Sequence, residues 1–557
     1  MQVQMLELIC LNSDSRLTVE AGTTLMDVLS KMEFERPYPI LAARVNNRYK
    51  PLSYPVYKPV TVEFLDVRSF EGYRVYQRTI CFVLQMASTQ LFAERKLRVR
   101  HTLGSGFYCE FDDRKSLRAE EIVALKRRMT EIVAAAMPIT REKQLAQDVV
   151  SLYERFGFDD RVELLSTRPH LYSTVNYMGG MPGYFYGVLA PSSAYVPHFD
   201  IVPYYNGLYV SLPSRSNPEQ ISRTVSLDKM FDIFHEYQQW IDIMGVPTVG
   251  DLNRRVMEGD ASELIKIAEA FHENKIASIA RQVADANLGR GVRMALISGP
   301  SSSGKTTFSK RLGIQLRVLG FDPVLIALDD YFVERDRTPR DENGDYDYEA
   351  LEAIDLEALN DHLRRLSAGE SVEIPRYNFI TGKRQWHEQP LQLNERSILI
   401  LEGIHALNPR LTPGIDDDQK FKIYISCFTS VAMDNFSRIP TTDNRLLRRS
   451  IRDNATRGSN AQATFERWPS VRRGEEKHIF PYQENADVMF NSSLFYEISV
   501  LRAIAEPVLR EVADTAPEYA EAHRLLRFLD NFIPIQPDEI PPTSLLREFI
   551  GGSSFKY

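Results

Sequence analysis

Cysteine is scarce in this sequence: the 557 residues include four, and no two of them form a Cys-x-x-Cys pair. This spacing argues against a zinc ribbon or a disulfide framework and is typical of a reducing compartment, so we expect a cytoplasmic protein. Long apolar runs are missing too, since no stretch approaches the roughly 18 apolar residues that cross a membrane. The first residues also lack a basic region followed by an apolar stretch, so we expect neither secretion nor a membrane partner.

An excess of positive charge is also absent, because 67 Lys and Arg residues against 75 Asp and Glu residues give a net charge of −8. The global field repels phosphate backbones, so a nucleic-acid partner would need a local basic surface. Glycine and proline are not enriched, with 28 and 30 residues, and 43% of the residues are hydrophobic, which indicates a folded chain rather than a disordered or fibrous one. At roughly 150 residues per domain, the length predicts about three or four domains.

The first domain is predicted at residues 1–67. Apolar and polar residues alternate there in strand-like stretches, with a short helical segment between the second and third. The predicted strands are 5–11, 16–19, 41–45 and 60–64, and the predicted helix is 24–32. Residues 15–29 resemble the TGS domain at the start of threonyl-tRNA synthetases, and this resemblance implies a β-grasp fold.

A second domain is predicted at residues 68–224, where helical and strand-like segments mix. The predicted helices are 78–91, 119–136 and 141–156, and the predicted strands are 184–189 and 208–212. The segments at 101–109 and 137–142 resemble the editing-type second domain of threonyl- and alanyl-tRNA synthetases. This resemblance implies an α+β synthetase-like domain.

The resemblance does not extend to the metal ligands of that editing domain. The family uses a His-x-x-x-His pair with a distant Cys and His, a set suited to zinc, whereas Ser105 stands four residues after His101. The remaining candidates are His101, Cys109, His170 and His198, and no two have the spacing of ligands on a helix. We therefore expect a scaffold or regulatory domain, with metal or editing chemistry as the alternative.

The rest of the chain divides into three predicted segments. Residues 225–286 carry apolar side chains at helical spacing, so we expect a helical connector, followed by a loop at 285–291. Residues 287–512 hold the motifs of a catalytic domain. Residues 513–557 contain a helical stretch at 518–532 and several later prolines, and we expect a docking extension.

A phosphate-binding loop follows the strand-like run at residues 292–298. Gly299-Pro-Ser-Ser-Ser-Gly-Lys-Thr is the Gly-x-x-x-x-Gly-Lys-Thr motif, and a helical stretch comes directly after it. The glycines let backbone N–H groups turn toward phosphate oxygens, Lys305 can neutralise the terminal phosphates, and the Thr306 hydroxyl can bind Mg²⁺. The predicted ATP-binding residues are Gly299, Pro300, Ser301, Ser302, Ser303, Gly304, Lys305, Thr306 and Thr307.

Carboxylates end two later strands. Asp329 and Asp330 follow the strand at 324–328, and Glu402 ends the apolar strand at 397–402. Open parallel sheets carry their active groups at such strand ends. One aspartate can accept a proton from an attacking hydroxyl while the other, or the same one, orients Mg²⁺; helix capping is the alternative. The predicted metal site consists of Thr306, Asp329 and Glu402.

Arginines recur at helical spacing further on. Arg445, Arg448, Arg449 and Arg452 stand three or four residues apart, and Arg457 follows. Guanidinium groups match phosphate oxygens, so this row can close over phosphates and stabilise charge during phosphoryl transfer. A solvated basic face is the alternative.

Residues 290–512 resemble the uridine kinase branch of the phosphoribulokinase/uridine kinase family through six ordered motifs. Besides the loop, they are Asp329-Asp-Tyr-Phe, Asp345-Tyr-Asp, Ile374-Pro-Arg-Tyr-Asn-Phe, Leu401-Glu-Gly-Ile and the segment from Arg448 to Gly458. The resemblance implies an α/β P-loop fold, a parallel sheet with helices on both faces. It also implies a kinase that uses ATP and Mg²⁺ to phosphorylate the 5′-hydroxyl of a nucleoside such as uridine or cytidine.

The same resemblance assigns roles to single residues. Asp329 becomes the general base, and the catalytic cations are Lys305, Arg449, Arg452 and Arg457. Asp347 becomes a ligand of a sugar hydroxyl, and Glu402 a carboxylate on the Mg²⁺ side. The predicted substrate-binding residues are Asp347, Tyr377, Phe379 and Arg384, with Tyr377 and Phe379 as walls of the base pocket.

Two positions depart from the family pattern. Gly382 stands where these kinases place a histidine that touches the pyrimidine, and Ser459 replaces the last lid arginine. A kinase for another small acceptor, such as a sugar phosphate, is therefore an alternative. The synthetase-like N-terminal half suggests a third hypothesis, an RNA-binding regulator that uses ATP as a switch. That half could also set homo-oligomerisation.

Overall fold

The computed structural model describes residues 4–222, 227–342, 344–378, 381–386 and 389–556. The strands of these described ranges form four sheets of three or more members, together with two short two-stranded ribbons. Within the described ranges, no helix is both long enough and apolar enough to cross a membrane.

The N-terminal region is a five-stranded sheet with one helix. Its elements are β1 (Met5–Cys10), β2 (Ser15–Glu20), α1 (Leu25–Lys31), β3 (Ala42–Val45), β4 (Arg48–Lys50) and β5 (Val60–Leu65). The strand order is β2-β1-β5-β3-β4, and β1 and β5 are parallel. The four predicted strands and the helix are present. The additional strand β4 depends on a tight hairpin at Asn46 and Asn47, whose φ angles are +42° and +57°. The TGS resemblance stays a prediction.

The second region mixes helices with two antiparallel sheets of order β10-β9-β8 and β11-β12-β7-β6. Its elements are α2 (Phe70–Leu91), β6 (Leu97–Leu103), β7 (Gly106–Phe111), α3 (Ala119–Ala134), β8 (Ile139–Leu145), α4 (Ala146–Phe156), α5 (Asp159–Ser166), β9 (Tyr172–Met178), β10 (Met181–Gly183), β11 (Asp200–Tyr204) and β12 (Gly207–Ser211). The helices predicted at 78–91 and 119–136 and the strand predicted at 208–212 are confirmed.

Two expectations for this region are wrong. The helix predicted at 141–156 begins as strand β8, which pairs with β9 along its whole length. Charged residues suit β8 because it is an edge strand, and they hide its strand period. The strand predicted at 184–189 lies outside every described strand. Its aromatic side chains pack on a helix instead, with Phe185 at 5.3 Å from Phe82 of α2 between ring centres.

The helical connector consists of α6 (Asp228–Met244), α7 (Val249–Met257) and α8 (Ala261–Arg290). Its predicted boundary at residues 224 and 225 lies outside the described residues. The loop predicted at 285–291 is wrong, because α8 continues to Arg290 and ends at Gly291, whose φ is +77°. Glycine at this C-cap ends the helix without steric cost, so the polar residues before it stay helical.

The region with the predicted catalytic motifs is built on a five-stranded, fully parallel sheet of order β14-β17-β13-β18-β21. Its elements are β13 (Met294–Ser298), α9 (Lys305–Val318), β14 (Asp322–Ala327), α10 (Leu356–Ser367), β15 (Pro375–Asn378), β16 (Lys383–Trp386), β17 (Ser397–Glu402), β18 (Lys420–Ser426), β19 (Ala432–Asp434), β20 (Ser437–Arg438), α11 (Thr441–Thr456), α12 (Ala461–His478), β21 (Val488–Asn491) and α13 (Glu497–Arg510).

Helices cover both faces of this sheet. Alternate residues of the central strand β13 enter different apolar clusters, because successive side chains of a strand point to opposite faces. Leu296 packs with residues of α6 and α10, whereas Ile297 packs with residues of α8 and α9. The predicted parallel sheet covered on both faces is thus present.

The C-terminal extension contains α14 (Tyr519–Leu529), which confirms the helix predicted at 518–532, and α15 (Arg547–Ile550). Leu545, Leu546 and Phe549 are at most 2% exposed, so this segment is part of the core. A cavity of about 760 Å³ lies between the N-terminal half and the region with the predicted catalytic motifs, and its lining includes Tyr73, Arg438 and Trp468.

Candidate active site

The loop between β13 and α9 has the backbone shape of a phosphate cradle. Gly304 adopts a φ of +82°, and Ser302 adopts +60°, a value that costs a non-glycine residue on the order of 1 kcal/mol. A Cβ on Gly299 would lie 2.0 Å from the carbonyl oxygen of Ile425, so a glycine is required there. The loop delivers its N–H groups to the amino end of a 14-residue helix, where anions bind well. The local geometry therefore fits the phosphates of ATP.

Lys305 folds back across this loop. Its Nζ donates hydrogen bonds to the carbonyl oxygens of Gly299 (2.9 Å) and Pro300 (3.2 Å). Burial lowers the pKa of the Lys305 ammonium, and the neighbouring Glu402 and Asp329 oppose that shift. Phosphate oxygens would be stronger partners for this ammonium than neutral carbonyls.

Glu402 ends β17 next to the loop. Its Oε1 accepts a hydrogen bond from the Thr306 hydroxyl at 3.0 Å. Burial raises the pKa of Glu402 to about 7; Lys305 lowers it, and the nearby charge of Asp329 raises it. Hydroxyl and carboxylate oxygens are the ligands that Mg²⁺ prefers, so Thr306, Glu402 and the neighbouring Asp329 fit this ion.

The two aspartates after β14 have different surroundings. Asp330 accepts a hydrogen bond from the backbone N–H of Tyr377 (3.2 Å), so it fixes one loop against another. Asp329 instead interacts electrostatically with Lys305 and Glu402 at the carboxyl end of the sheet. This arrangement favours Asp329 as the general base, and its role stays a prediction.

The predicted arginine row of α11 divides into two sets. Arg445 and Arg448 are fully buried, forming ion pairs with Glu475 and Glu497. Arg445 also donates to the carbonyl oxygen of Ser301 at 2.9 Å. These two arginines therefore support the phosphate-binding loop from behind.

The second set surrounds one carboxylate. Arg449, Arg452 and Arg457 lie 3.2, 2.8 and 3.8 Å from Asp453. Arg449 also donates to the Ser301 hydroxyl of the loop at 3.0 Å. These are the arginines predicted to be catalytic, and one carboxylate among three cations leaves positive charge for phosphate oxygens.

Arg384 holds the turn that carries the aspartates. It donates to the carbonyl oxygens of Phe332 (2.8 Å) and Tyr331 (2.9 Å) and to the Asp355 carboxylate (2.8 Å). Its guanidinium is therefore engaged with the protein itself. A positioning role for Arg384 agrees with these contacts better than the predicted direct contact with substrate.

The other predicted substrate-binding residues lie near this turn. Tyr377 is 5% exposed and packs edge-on against Phe332, with 5.6 Å between ring centres. Asp347 accepts a hydrogen bond from the Glu349 N–H at 3.1 Å. Phe379 lies outside the described residues.

Two carboxylates near the loop were not predicted. Glu349 is close to Arg449 and Lys305, and burial raises its pKa. Its position two residues after Asp347 in an acidic segment is a signal that sequence reasoning could have used. Glu548 accepts hydrogen bonds from the Thr307 N–H (3.3 Å) and hydroxyl (2.6 Å). No local signal marks Glu548, because 241 positions separate it from Thr307.

The candidate ligands of the N-terminal half are not gathered in one site. His101 stacks on Phe234 with 4.2 Å between ring centres, and burial lowers the pKa of its imidazole. Burial raises the pKa of the Cys109 thiol. Across the described ranges, no three His, Cys, Asp or Glu side chains stand close enough to hold a metal ion.

Comparisons with known proteins concern the C-terminal region that contains this candidate site. Residues 295–498 match the sequence model of the Phosphoribulokinase / Uridine kinase family. The uridine kinases of Staphylococcus aureus strains JH9 and Newman are each 28% identical over 194 residues, which cover 35% of this chain and 84% of the relative. The structure of a possible uridine kinase from Bacillus stearothermophilus is 23% identical, covers 36% of this chain and 89% of its own, and has a TM-score of 0.25. The C-terminal region of this chain therefore contains a domain of the phosphoribulokinase/uridine kinase family.

Proposed function

We propose that this protein is an ATP-dependent kinase that transfers the γ-phosphate to the 5′-hydroxyl of a nucleoside, with uridine or cytidine as the first choice. One observation carries the proposal. Lys305, the Thr306–Glu402 pair and Asp329 converge where the parallel strands end. Open parallel sheets bind their ligands at this edge.

The chemistry assigned to these residues is proton removal and charge neutralisation. Asp329 accepts the proton of the acceptor hydroxyl while that oxygen bonds to the γ-phosphorus and the bond to the bridging oxygen breaks, which releases ADP. Lys305 and Arg449 stabilise the negative charge of the transferred group. Mg²⁺ held by Thr306 and Glu402 would neutralise charge on the phosphate oxygens.

A nucleoside acceptor is supported by the six sequence motifs and by the uridine kinases among the relatives. Tyr377, with its ring packed on Phe332, provides an aromatic wall beside the turn that carries Asp329. Asp347 supplies a carboxylate that can accept hydrogen bonds from sugar hydroxyls.

A panel of nucleosides tests this function. Wild-type protein and Asp329→Asn are incubated with ATP, Mg²⁺ and each nucleoside, and the 5′-monophosphate is measured. We expect product from at least one pyrimidine nucleoside with the wild type and at least about a 100-fold lower rate with the variant. Equal rates for the two proteins would contradict the assignment of Asp329 as the general base. Absence of product with every nucleoside would contradict the proposal that the acceptor is a nucleoside.

A kinase for a different acceptor is the second candidate, because the backbone at Gly382 does not accommodate the histidine that the family has at this position. Its φ is +69°, and a Cβ there would lie 2.8 Å from the Arg335 side chain. The imidazole that contacts the pyrimidine in this family therefore has no equivalent from this backbone position. The same assay with sugar phosphates separates the candidates: activity on a sugar phosphate without activity on any nucleoside selects the second one.

A further inference from the structure

The last turn of the chain packs beside the phosphate-binding loop. The Leu545 side chain lies 3.3 Å from the position of a Cβ on Gly304. Phe549 lies under the Arg448 guanidinium, 4.9 Å from the ring centre to the guanidinium carbon. Both apolar side chains are buried, so the segment is anchored where it meets the loop.

This segment places a carboxylate on the loop's own anion donors. Glu548 Oε2 accepts hydrogen bonds from the Thr307 N–H (3.3 Å) and from the Thr307 hydroxyl (2.6 Å). Thr307 is the third residue of α9, and its N–H belongs to the first turn, where N–H groups have no partner inside the helix. Phosphate oxygens of a nucleotide bind to such N–H groups in loops of this kind.

We propose that Glu548 is an intramolecular competitor of ATP: its carboxylate occupies a phosphate position of the loop, and ATP binds fully only when Glu548 moves away from Thr307. The inference rests on the proposed nucleotide site. It makes the C-terminal segment an autoinhibitory element, and the competition between Glu548 and ATP is called the brake below.

Charge and hydrogen bonding both prevent Glu548 and a nucleotide phosphate from binding to Thr307 at the same time. The Thr307 donors cannot serve the carboxylate and a phosphate oxygen at full strength at the same time. A carboxylate left beside a triphosphate would also add a like-charge repulsion in a partly buried site. If Glu548 is bonded to Thr307 in about 90% of molecules, the apparent affinity for ATP falls about 10-fold, because affinity scales with the competent fraction.

Nucleotide binding by the full chain tests the brake without any acceptor. The dissociation constant of the non-hydrolysable analogue AMP-PNP with Mg²⁺ is measured by calorimetry for the wild type, Glu548→Ala and Glu548→Gln. We expect about 10-fold tighter binding for the alanine variant and a smaller gain for the glutamine variant, which keeps the shape and loses the charge. Glu539→Ala is the matched control, since Glu539 lies on the same extension but contacts Ser262 and Lys266 at the surface. It should bind like the wild type.

Hydrogen exchange supplies a second measurement that needs no substitution. Adding AMP-PNP to the wild type should lower the protection of the amides of residues 545–550. Unchanged protection together with equal affinity of all four proteins would overturn the brake. Tighter binding by Glu548→Ala without phosphorylation of any acceptor would support competition by Glu548 and contradict the proposed kinase activity. Equal affinities together with phosphorylation of an acceptor would contradict the competition and support the kinase activity. Absent binding in every protein would remove both.

Discussion

Two groups of buried charges in this protein differ in whether the carboxylates are neutralised by neighbouring cations: the network around Asp443 and Glu521, and the site at the phosphate-binding loop. Between α14, α11 and the N-terminal half, Arg524 donates to both carboxylate oxygens of Asp443 at 2.7 Å, and Glu521 accepts from Arg524 and Arg74. Burial alone would raise the pKa of Glu521, yet the two arginines hold it well below its usual range. At the phosphate-binding loop, burial raises the pKa of Glu402 to about 7 although Lys305 opposes it.

The difference separates a structural network from a site prepared for a ligand. In the network, each carboxylate faces a guanidinium, so nothing is left for a ligand to neutralise. In the loop, the ammonium of Lys305 is bonded to carbonyl oxygens, and within the described part of the chain Glu402 accepts its hydrogen bond from the neutral Thr306 hydroxyl. A buried charge that the fold does not neutralise marks the place where a charged ligand is expected.

Breaking the network should give the largest effect. We expect Arg524→Ala to lower the free energy of unfolding by about 3–5 kcal/mol, because the buried Asp443 loses its two hydrogen bonds from Arg524 and keeps only the more distant Arg74 at 3.6 Å. Urea denaturation measures this change. The control is Arg364→Ala, whose ion pair with Asp361 is exposed to solvent and should leave the free energy of unfolding almost unchanged. Similar losses for the two variants would contradict the distinction.

Breaking the site should affect catalysis and leave stability intact. We expect Lys305→Ala to lower the rate of phosphoryl transfer about 100- to 1,000-fold, because the transferred group loses its ammonium. Its free energy of unfolding should change by less than about 1 kcal/mol, since neutral carbonyls are poor partners for a buried ammonium. The exposed Arg317 at the far end of α9 provides the control, and Arg317→Ala should keep the wild-type rate.

The raised pKa of Glu402 sharpens the comparison through pH. Its folded value of about 7 exceeds the ordinary value of 4.5, so the folded state binds the extra proton between these limits. The contribution of Glu402 protonation to the free energy of unfolding is therefore fully present below about pH 4.5 and is lost as the pH rises to about 7. We expect the wild type to lose about 1–3 kcal/mol relative to Glu402→Gln across this window in urea denaturation. Parallel pH curves for the two proteins would contradict the shift.

The smallest effect is expected at an arginine that forms no ion pair with the described residues of either group, although the charge of Asp443 acts on it at longer range. Arg438 borders the cavity between the two halves, and its side chain makes no ion pair or hydrogen bond with the described residues. Burial lowers the pKa of its guanidinium. Arg438→Met should therefore change the free energy of unfolding by less than about 1 kcal/mol, and a gain is compatible with relief of desolvation. A decrease in the free energy of unfolding as large as that of Arg524→Ala would contradict the expectation that a guanidinium without an ion pair stabilises the fold less than a paired one.

Much of the fold around the candidate active site could be predicted because its signals are local. The loop from Gly299 to Thr307 lies between a buried strand and a helix in one continuous segment, and the strands ending near Asp329 and Glu402 are short apolar runs. Parallel strands place their carboxyl ends at one edge, so the grouping of these residues followed from the strand assignment. The prediction failed where local composition misled, as in β8, whose charged residues belong to an edge strand.

The sequence by itself determined the phosphate-binding loop, the carboxylates at the strand ends and the arginine-rich helix. Only the tertiary structure decided which arginines are buried supports, since that depends on Glu475 and Glu497 from later helices. It also decided that Glu548 reaches Thr307 across 241 positions. Spacing along the chain defines which side chains share a strand end or a helix face, whereas packing of distant segments sets which charges are neutralised.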